Sequence, residues 1–198
     1  MNFQVIKRNE HIYMANIHLD AFHGFFLSSL GVKFLKAYYN AALKSNETIA
    51  VCAVDDTRLI QGFATGCIQS KGFHKRLISN NFFTFLIQGF IILFTNTKAL
   101  MRLAMNLDKI SDEKDDGDYA ELISLGVSSA CKGLGIGKSL IKTFEDEAKI
   151  RGCKRIALTT DYYNNEEVVT FYFHSGYKVF YQFIAYPKRK MYKLIKDL

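Results

Sequence analysis

Hydrophobic and polar positions along this chain follow two periods, and the places where one gives way to the other mark its elements. Residues 3–7 alternate and predict a first strand. A helical period follows from His11 to about Phe22, with Asn9 as N-cap and Met14, Ile17 and Ala21 as its inner face. The pattern breaks near Gly24 and Gly31, then resumes as a helix carrying Phe34, Leu35, Tyr38, Ala41 and Leu43. Residues 48–54 and 59–69 read as two strands, and Asp55-Asp56-Thr57-Arg58 between them is good hairpin chemistry. Near the C-terminus the pattern predicts a strand at 155–160 and a helix at 165–175 that stops at Gly176. A closing hairpin, 177–186 and 190–195, turns around Pro187.

Residues 70–118 interrupt this regular order. Within them 82–94 (FFTFLIQGFIILF) is almost wholly apolar, and Leu100, Leu103, Ala104, Leu107 and Ile110 mark a second, amphipathic helix. Residues 111–118 (SDEKDDGD) form an acidic loop. The apolar run is too short to span a bilayer, which takes about 20 residues. Three readings stay open for it: a helical hairpin packed on the domain, a homodimer contact, or peripheral contact with a membrane or lipid-linked acceptor, with Lys71, Lys75 and Arg76 near headgroups.

The most informative stretch is 122–141, LISLGVSSACKGLGIGKSLI. A β-branched apolar run leads into Gly133, Gly135 and Gly137, and a helix follows in which Leu140, Ile141, Phe144 and Ala148 share one face. Lys142, Glu145, Glu147 and Lys149 are expected to face water, and Gly152 stands where such a helix stops. Strand, glycine loop and helix together make an anion site. Glycines let the backbone approach a ligand, and the first N–H groups of the helix have no internal partners. A phosphate or pyrophosphate is the natural guest, with Lys132 and Lys138 adding charge. The spacing is not that of a nucleotide loop. A Walker A motif needs glycine at 132, which is lysine, and Gly133-x-Gly135-x-Gly137 is not the GxGxxG of a dinucleotide fold. ALTTD, ending at Asp161, resembles a Walker B strand, yet only a short tail follows it.

The loop resembles that of the GNAT superfamily of acyl-CoA-dependent N-acetyltransferases. Lys132-x-x-Gly135-x-Gly137 stands where that family has Gln or Arg, two residues, Gly, one residue, then Gly or Ala. Leu125-Gly126-Val127 precedes it where the family has its bulged strand. A second block, Asn165, Val168, Phe171-Tyr172 and Gly176-Tyr177, is similar to the family's NxxAxxFYxxxGF ending. The lysine at 132 departs from the family pattern, which weakens a side-chain contact and leaves the backbone cradle intact. The resemblance covers the chain outside the insertion. It implies an α/β (α+β) GNAT fold: a mixed, mostly antiparallel central sheet flanked by helices, one domain over 1–198, with a helical insertion at about 70–118 between the third and fourth strands.

The resemblance also implies site residues. Acetyl-CoA would be the acyl donor. The backbone of Leu125, Gly126 and Val127 would hold its pantetheine arm between splayed strands, an N–H near Val127 polarising the thioester carbonyl. The loop Lys132, Gly133, Leu134, Gly135, Ile136, Gly137, Lys138 and Ser139 would hold the pyrophosphate, with Asn165 and Phe171 also at the cofactor. Tyr172 would protonate the departing thiolate, or else serve as a core aromatic of its helix. Glu121, which precedes Leu122 on the same strand, is the candidate base or else a plain strand-edge glutamate. Phe25, Phe26 and Leu27 would sit in the wall of the acceptor pocket, or else serve simply as core. The expected reaction is direct acetyl transfer to a primary amine of a small molecule or sugar. Two alternatives stay open: a non-catalytic acyl-CoA-binding module, and the same chemistry on a membrane or lipid-linked acceptor.

Composition narrows this further. The chain has 198 residues and a net charge of +7, and its basic residues are dispersed apart from Lys188-Arg189-Lys190 and His74-Lys75-Arg76. A polyanionic cofactor accounts for part of that excess, and nucleic-acid binding is not expected. Cys52, Cys67, Cys131 and Cys153 lack metal-ligand spacing, as expected of thiols in a reducing cytosol, and no metal is expected. Cys131 has no histidine near it in sequence to make it a nucleophile. The N-terminus lacks an apolar signal core, so a cytoplasmic location is expected.

Overall fold

Seven strands form one sheet in the order β1-β2-β3-β4-β5-β7-β6. They are β1 (Asn2–Val5), β2 (Thr48–Val54), β3 (Ile60–Cys67), β4 (Ala120–Val127), β5 (Arg155–Asp161), β6 (Lys178–Ala185) and β7 (Arg189–Asp197). Every neighbouring pair is antiparallel except β4 and β5. The structure, a computed structural model, describes residues 1–97, 101, 115–185 and 187–198. Helices cover both faces of the sheet, giving a mixed, mostly antiparallel α/β architecture of the GNAT type.

One face carries α1 (His11–Ala21), the short α2 (Phe26–Ser29) and α3 (Gly31–Lys44). Met14, Ile17, Phe34, Leu35, Tyr38 and Tyr39 pack there against Cys52, Phe63 and Cys67 of the sheet. The opposite face carries α6 (Ile136–Ile150) and α7 (Glu166–His174), whose Leu140, Ile141, Phe144, Ala148 and Tyr172 pack on Ile49, Val51, Ala64, Leu122 and Ile156. Strand β2 is buried along its whole length because helices cover both of its sides. Gly62 marks a close approach: a methyl group there would stand 3.0 Å from Leu140 Cδ1 and 3.1 Å from the Gly126 carbonyl oxygen.

Three local expectations change. A short 3-10 turn at Arg8–Glu10 precedes α1, so Asn9 lies inside the turn, and the Glu10 carboxylate instead accepts from the Lys7 N–H at 2.7 Å. On α1, Ala21 is exposed at the helix end, and Ala15 and His18 are buried with Met14 and Ile17. Glu145 of α6 is buried rather than solvated, because Lys196 of β7 reaches it at 2.7 Å.

The insertion supplies α4 (Phe73–Asn80) and α5 (Phe82–Thr95), which meet at 95°. The pair lies outside α3: Phe73, Leu77 and Ile92 join the core beneath it, and Phe85 meets Phe34 with ring centroids 6.2 Å apart. No single helix among the described residues is long and apolar enough to cross a membrane. The residues Leu100, Leu103, Ala104, Leu107 and Ile110 of the amphipathic pattern, residues 111–114 of the acidic stretch, and Tyr186 lie outside the described residues.

Candidate active site

The site begins where two strands part. Strands β4 and β5 pair only at Ala120↔Ile156, Glu121↔Ala157 and Leu122↔Leu158. Beyond Leu158, β5 stays paired to β7 as far as Asp161↔Met191, and β4 stays paired to β3 as far as Val127↔Gly62. The edges facing each other across the gap therefore carry backbone groups with no partner in the sheet, and those of Leu125, Gly126 and Val127 lie on it. A bulge sharpens the divergence. Thr65 pairs with Ser124 and Gly66 with Leu122, so Ile123 is the extra residue. The bulge shifts the alternation, so that Ile123 packs toward α1 and α3 whereas Leu122, Leu125 and Val127 pack toward α6.

At the wide end of the gap, the glycine loop enters α6. Gly133 (φ +84°) and Gly135 (φ +74°) are left-handed, a region costly for residues with a Cβ, and both are open, with nothing within 4 Å of where a Cβ would stand. Gly137 lies against α7: a Cβ there would stand in ordinary contact with the Phe171 ring at 3.5 Å, so α7 packs onto the first turn of α6. Lys132, Leu134 and Lys138 are exposed around the loop, Ile136 is buried beneath it, and the Ser139 N–H closes the first helical turn on the Gly135 carbonyl at 3.3 Å. A phosphate-bearing ligand fits this cradle. The loop offers unpaired helix N–H groups, close backbone approach at two glycines, and two flanking ammonium groups.

Phe171 of α7 faces the loop at Gly137. Tyr172 is buried among Phe171 and Tyr177, and burial pushes its phenol up. Asn165 stands at the N-terminus of α7 and donates from Nδ2 to Thr160 Oγ1 at 2.7 Å and to the Asp161 carbonyl at 3.0 Å. It thereby ties α7 to the end of β5 beside the gap. Glu121 lies at the closed end, where the strands still pair. Lys193 Nζ of β7 reaches one carboxylate oxygen at 2.6 Å, and the Ser70 hydroxyl donates to the other. The Lys193 side chain is 6% exposed and that of Glu121 17%, so this is a largely buried ion pair.

Several residues at the site belong to no motif, and the fold alone brings them there. At the open end of β5, Asp161 is ion-paired with Arg189 of β7, and the Arg189 guanidinium lies 5.7 Å from the Phe25 ring centre. With His23, Gly24 and Phe26 they line a cavity of about 320 Å³ beside the gap. Phe25 and Phe26 thus belong to a cleft wall, while Phe26 and Leu27 also pack against the core. Asp20, at the end of α1, accepts from the Ser129 N–H at 2.7 Å; that bond holds its carboxyl below the usual range and fastens α1 to the loop after β4. His18 lies 2.6 Å from the Tyr39 hydroxyl, its Nε2 is buried without a partner, and burial lowers its imidazole to about 4. Cys131 points its thiol at Gln61 Oε1, 3.5 Å away. Asp20, His18 and His23 carry no signal in the sequence; Asp161 and Arg189 stand out there only as the end of a strand and the middle of a basic triplet.

A mixed sheet that opens between its parallel pair, over a glycine loop at a helix N-terminus, defines the class of acyl-CoA-dependent N-acetyltransferases. The family model for the acetyltransferase (GNAT) family matches residues 13–177, and this chain belongs to that family. Its acyl donor is acetyl-CoA. None of the curated proteins matches the sequence. Among solved structures, ribosomal-protein-alanine N-acetyltransferase from Brucella melitensis aligns over 100% of both chains at 11% identity and TM-score 0.64. The paia N-acetyltransferase from Thermoplasma acidophilum, in complex with coenzyme A, aligns over 100% of this chain and 98% of its own at 12% identity and TM-score 0.59. Aminoglycoside 6'-acetyltransferase type Ii aligns over 100% and 97% at 20% identity and TM-score 0.59. At these identities the likeness speaks for the fold.

Proposed function

We propose that this single-domain chain transfers the acetyl group of acetyl-CoA to a primary amine of a small-molecule or sugar acceptor, by direct attack in a ternary complex in the cytoplasm. The observation that carries the reading is the parting of β4 and β5 after Leu122↔Leu158, with the glycine loop on one side and the Phe25–Asp161–Arg189 cleft on the other. The donor enters along the gap and the acceptor from the cleft, so the two meet at Leu125 to Val127. A cavity of about 320 Å³ suits a small ligand better than a folded protein. The structures named as N-acetyltransferases, one of them for a ribosomal-protein alanine, are named for acetylation at nitrogen, which supports the class of acceptor and nothing narrower.

Acetyl-CoA supplies an activated thioester. The residues of this chain position it and handle its charges. The free backbone groups of Leu125 to Val127 hold the pantetheine arm as an added strand, and an N–H near Val127 faces the carbonyl where negative charge develops. The loop from Lys132 to Ser139 holds the pyrophosphate, with Asn165 and Phe171 bounding the arm. Tyr172, a phenol that is protonated at neutral pH, is the acid for the leaving thiolate.

Glu121 is the proposed base, and its ion pair with Lys193 favours a second reading, that it anchors β7 to β4. Glu121→Gln separates the two roles. Loss of kcat with a displaced acidic limb of the pH profile and an intact melting temperature supports the base; a lowered melting temperature with an unmoved pH profile supports the anchor.

The decisive experiment is calorimetric titration with acetyl-CoA and ATP in parallel, followed by an amine screen with Tyr172→Phe as control. Acetyl-CoA binding without ATP binding, with turnover that Tyr172→Phe removes, is the expected result. Binding without turnover on any amine would identify a non-catalytic acyl-CoA module, and ATP binding would overturn the reading of the loop.

A further inference from the structure

The outer face of α5 is an apolar surface that the described residues leave uncovered. Along this helix Phe83, Ile87, Phe90 and Phe94 recur at helical spacing and form one stripe. Phe83 is 78% and Phe94 82% exposed, while the opposite positions, Phe85 and Ile92, turn inward onto α3. The helix carries no charged residue. A contiguous row of large aromatic and aliphatic side chains on a described surface marks a contact with something apolar.

Charge identifies the partner. From residue 57 to residue 107 the sequence has no aspartate or glutamate, while Lys71, Lys75, Arg76, Lys98 and Arg102 bracket the apolar helix along the chain. Arg76 is paired with Glu47 on the domain side. Two of the acids that follow are engaged elsewhere: Asp115 with the Tyr119 and Tyr181 hydroxyls, and Asp116 with Arg155. An apolar helix flanked in sequence by cations complements a bilayer with anionic headgroups. A second copy of the same face would instead bring like charges together. At 14 residues and roughly 21 Å, α5 is too short to cross a bilayer and has the length of a helix lying in its interface.

We propose that α5 seats this protein on anionic membrane surfaces, with the stripe Phe83, Ile87, Phe90 and Phe94 in the acyl boundary and the exposed Lys71 and Lys75 at the headgroups. The position of α5 gives the docking a consequence for the site. Asn96, just past its C-terminus, donates from Nδ2 to the Ser29 carbonyl at 3.4 Å, at the end of α2. Helix α2 begins at Phe26, in the wall of the acceptor cleft. Docking through α5 therefore brings that cleft to the interface, where an amine acceptor partitioning into the membrane or carried on lipid would be concentrated. The docking itself does not rest on acetyl transfer, and its test uses no turnover.

The full chain is floated with phosphatidylcholine vesicles and with vesicles containing phosphatidylglycerol at low salt. The expected result is recovery with anionic vesicles at least about tenfold above that with neutral ones, falling as salt is raised. Phe83→Glu with Phe94→Glu removes flotation while acetyl-CoA affinity and melting temperature stay at the wild-type values. Lys71→Glu reduces the preference for anionic vesicles. Absence of flotation by a monomeric wild type overturns the proposal and means that the face is satisfied within the chain. A dimer in sedimentation equilibrium that the same double variant dissociates, again without flotation, overturns it in favour of a second copy.

Discussion

Helices α5 and α6 are of nearly equal length and both rich in apolar residues, yet the fold treats them in opposite ways. In α6 a polar face balances the apolar one, so a single orientation buries Leu140, Ile141, Phe144 and Ala148 and leaves Lys142 and Lys149 in water. In α5 no polar face exists to say which side is outside, and among its residues only Ile92 is fully buried. The first pattern specifies packing within the domain and positions the glycine loop. The second specifies only a preference for apolar surroundings, which the described part of the domain satisfies on one side alone.

The largest effect that would break this contrast is at the catalytic end. Tyr172→Phe is expected to lower kcat by about 10²–10⁴-fold while acetyl-CoA binding is retained, since general acids contribute on that scale; steady-state kinetics beside calorimetry checks it. Lys193→Met leaves the Glu121 carboxylate largely buried without its ion-pair partner, and about 3 kcal/mol of stability should be lost, read by urea unfolding.

The pH dependence of His18 comes next. Its imidazole is lowered from 6.5 to about 4 in the folded state, so the unfolded chain takes up the proton first as the pH falls. Stability is full above pH 6.5 and declines through the window from 6.5 to 4, by on the order of 3 kcal/mol at one pH unit per 1.36 kcal/mol. His18→Gln should flatten that part of the stability profile.

Gly135→Ala meets no neighbouring atom, so its cost is the left-handed backbone alone, about 1–2 kcal/mol, together with weaker acetyl-CoA binding. The smallest effect sharpens the contrast from the other side. Phe83→Ser should change stability by no more than about 0.5 kcal/mol, because the side chain is almost wholly in solvent, whereas Phe144→Ala in α6 should cost about 3–5 kcal/mol. Thermal unfolding of the two variants measures that difference directly.

Much of the fold was legible because local periods carry it. The strands at 48–54 and 155–160, the helix after the glycine loop and the stop at Gly176 all follow from residues close together in the chain. The acidic turn was legible for the same reason: Asp55 accepts from the Thr57 N–H at 2.8 Å and the Leu59 N–H at 3.0 Å. Expectations failed where a distant partner changed a residue's surroundings. Glu145 belongs to the polar set of its helix by spacing, and Lys196, 51 residues away, draws it inside. His18 gives no sign in sequence of the Tyr39 hydroxyl that it meets.

The sequence by itself determined which segments form strands and helices, that glycines at 133, 135 and 137 let the backbone be approached closely, and that a helix start suited to an anion follows β4. Those are properties of neighbours along the chain, set by side-chain period, the missing Cβ of glycine and unsatisfied helix N–H groups. Only the tertiary structure decided that β4 and β5 part after Leu122, that Asp161 and Arg189 close one cleft, that Glu121 is held by Lys193, and that α5 turns its aromatic stripe outward. Each of these depends on which distant segments come to share a surface, and that is fixed by the packing of the whole sheet rather than by any local preference.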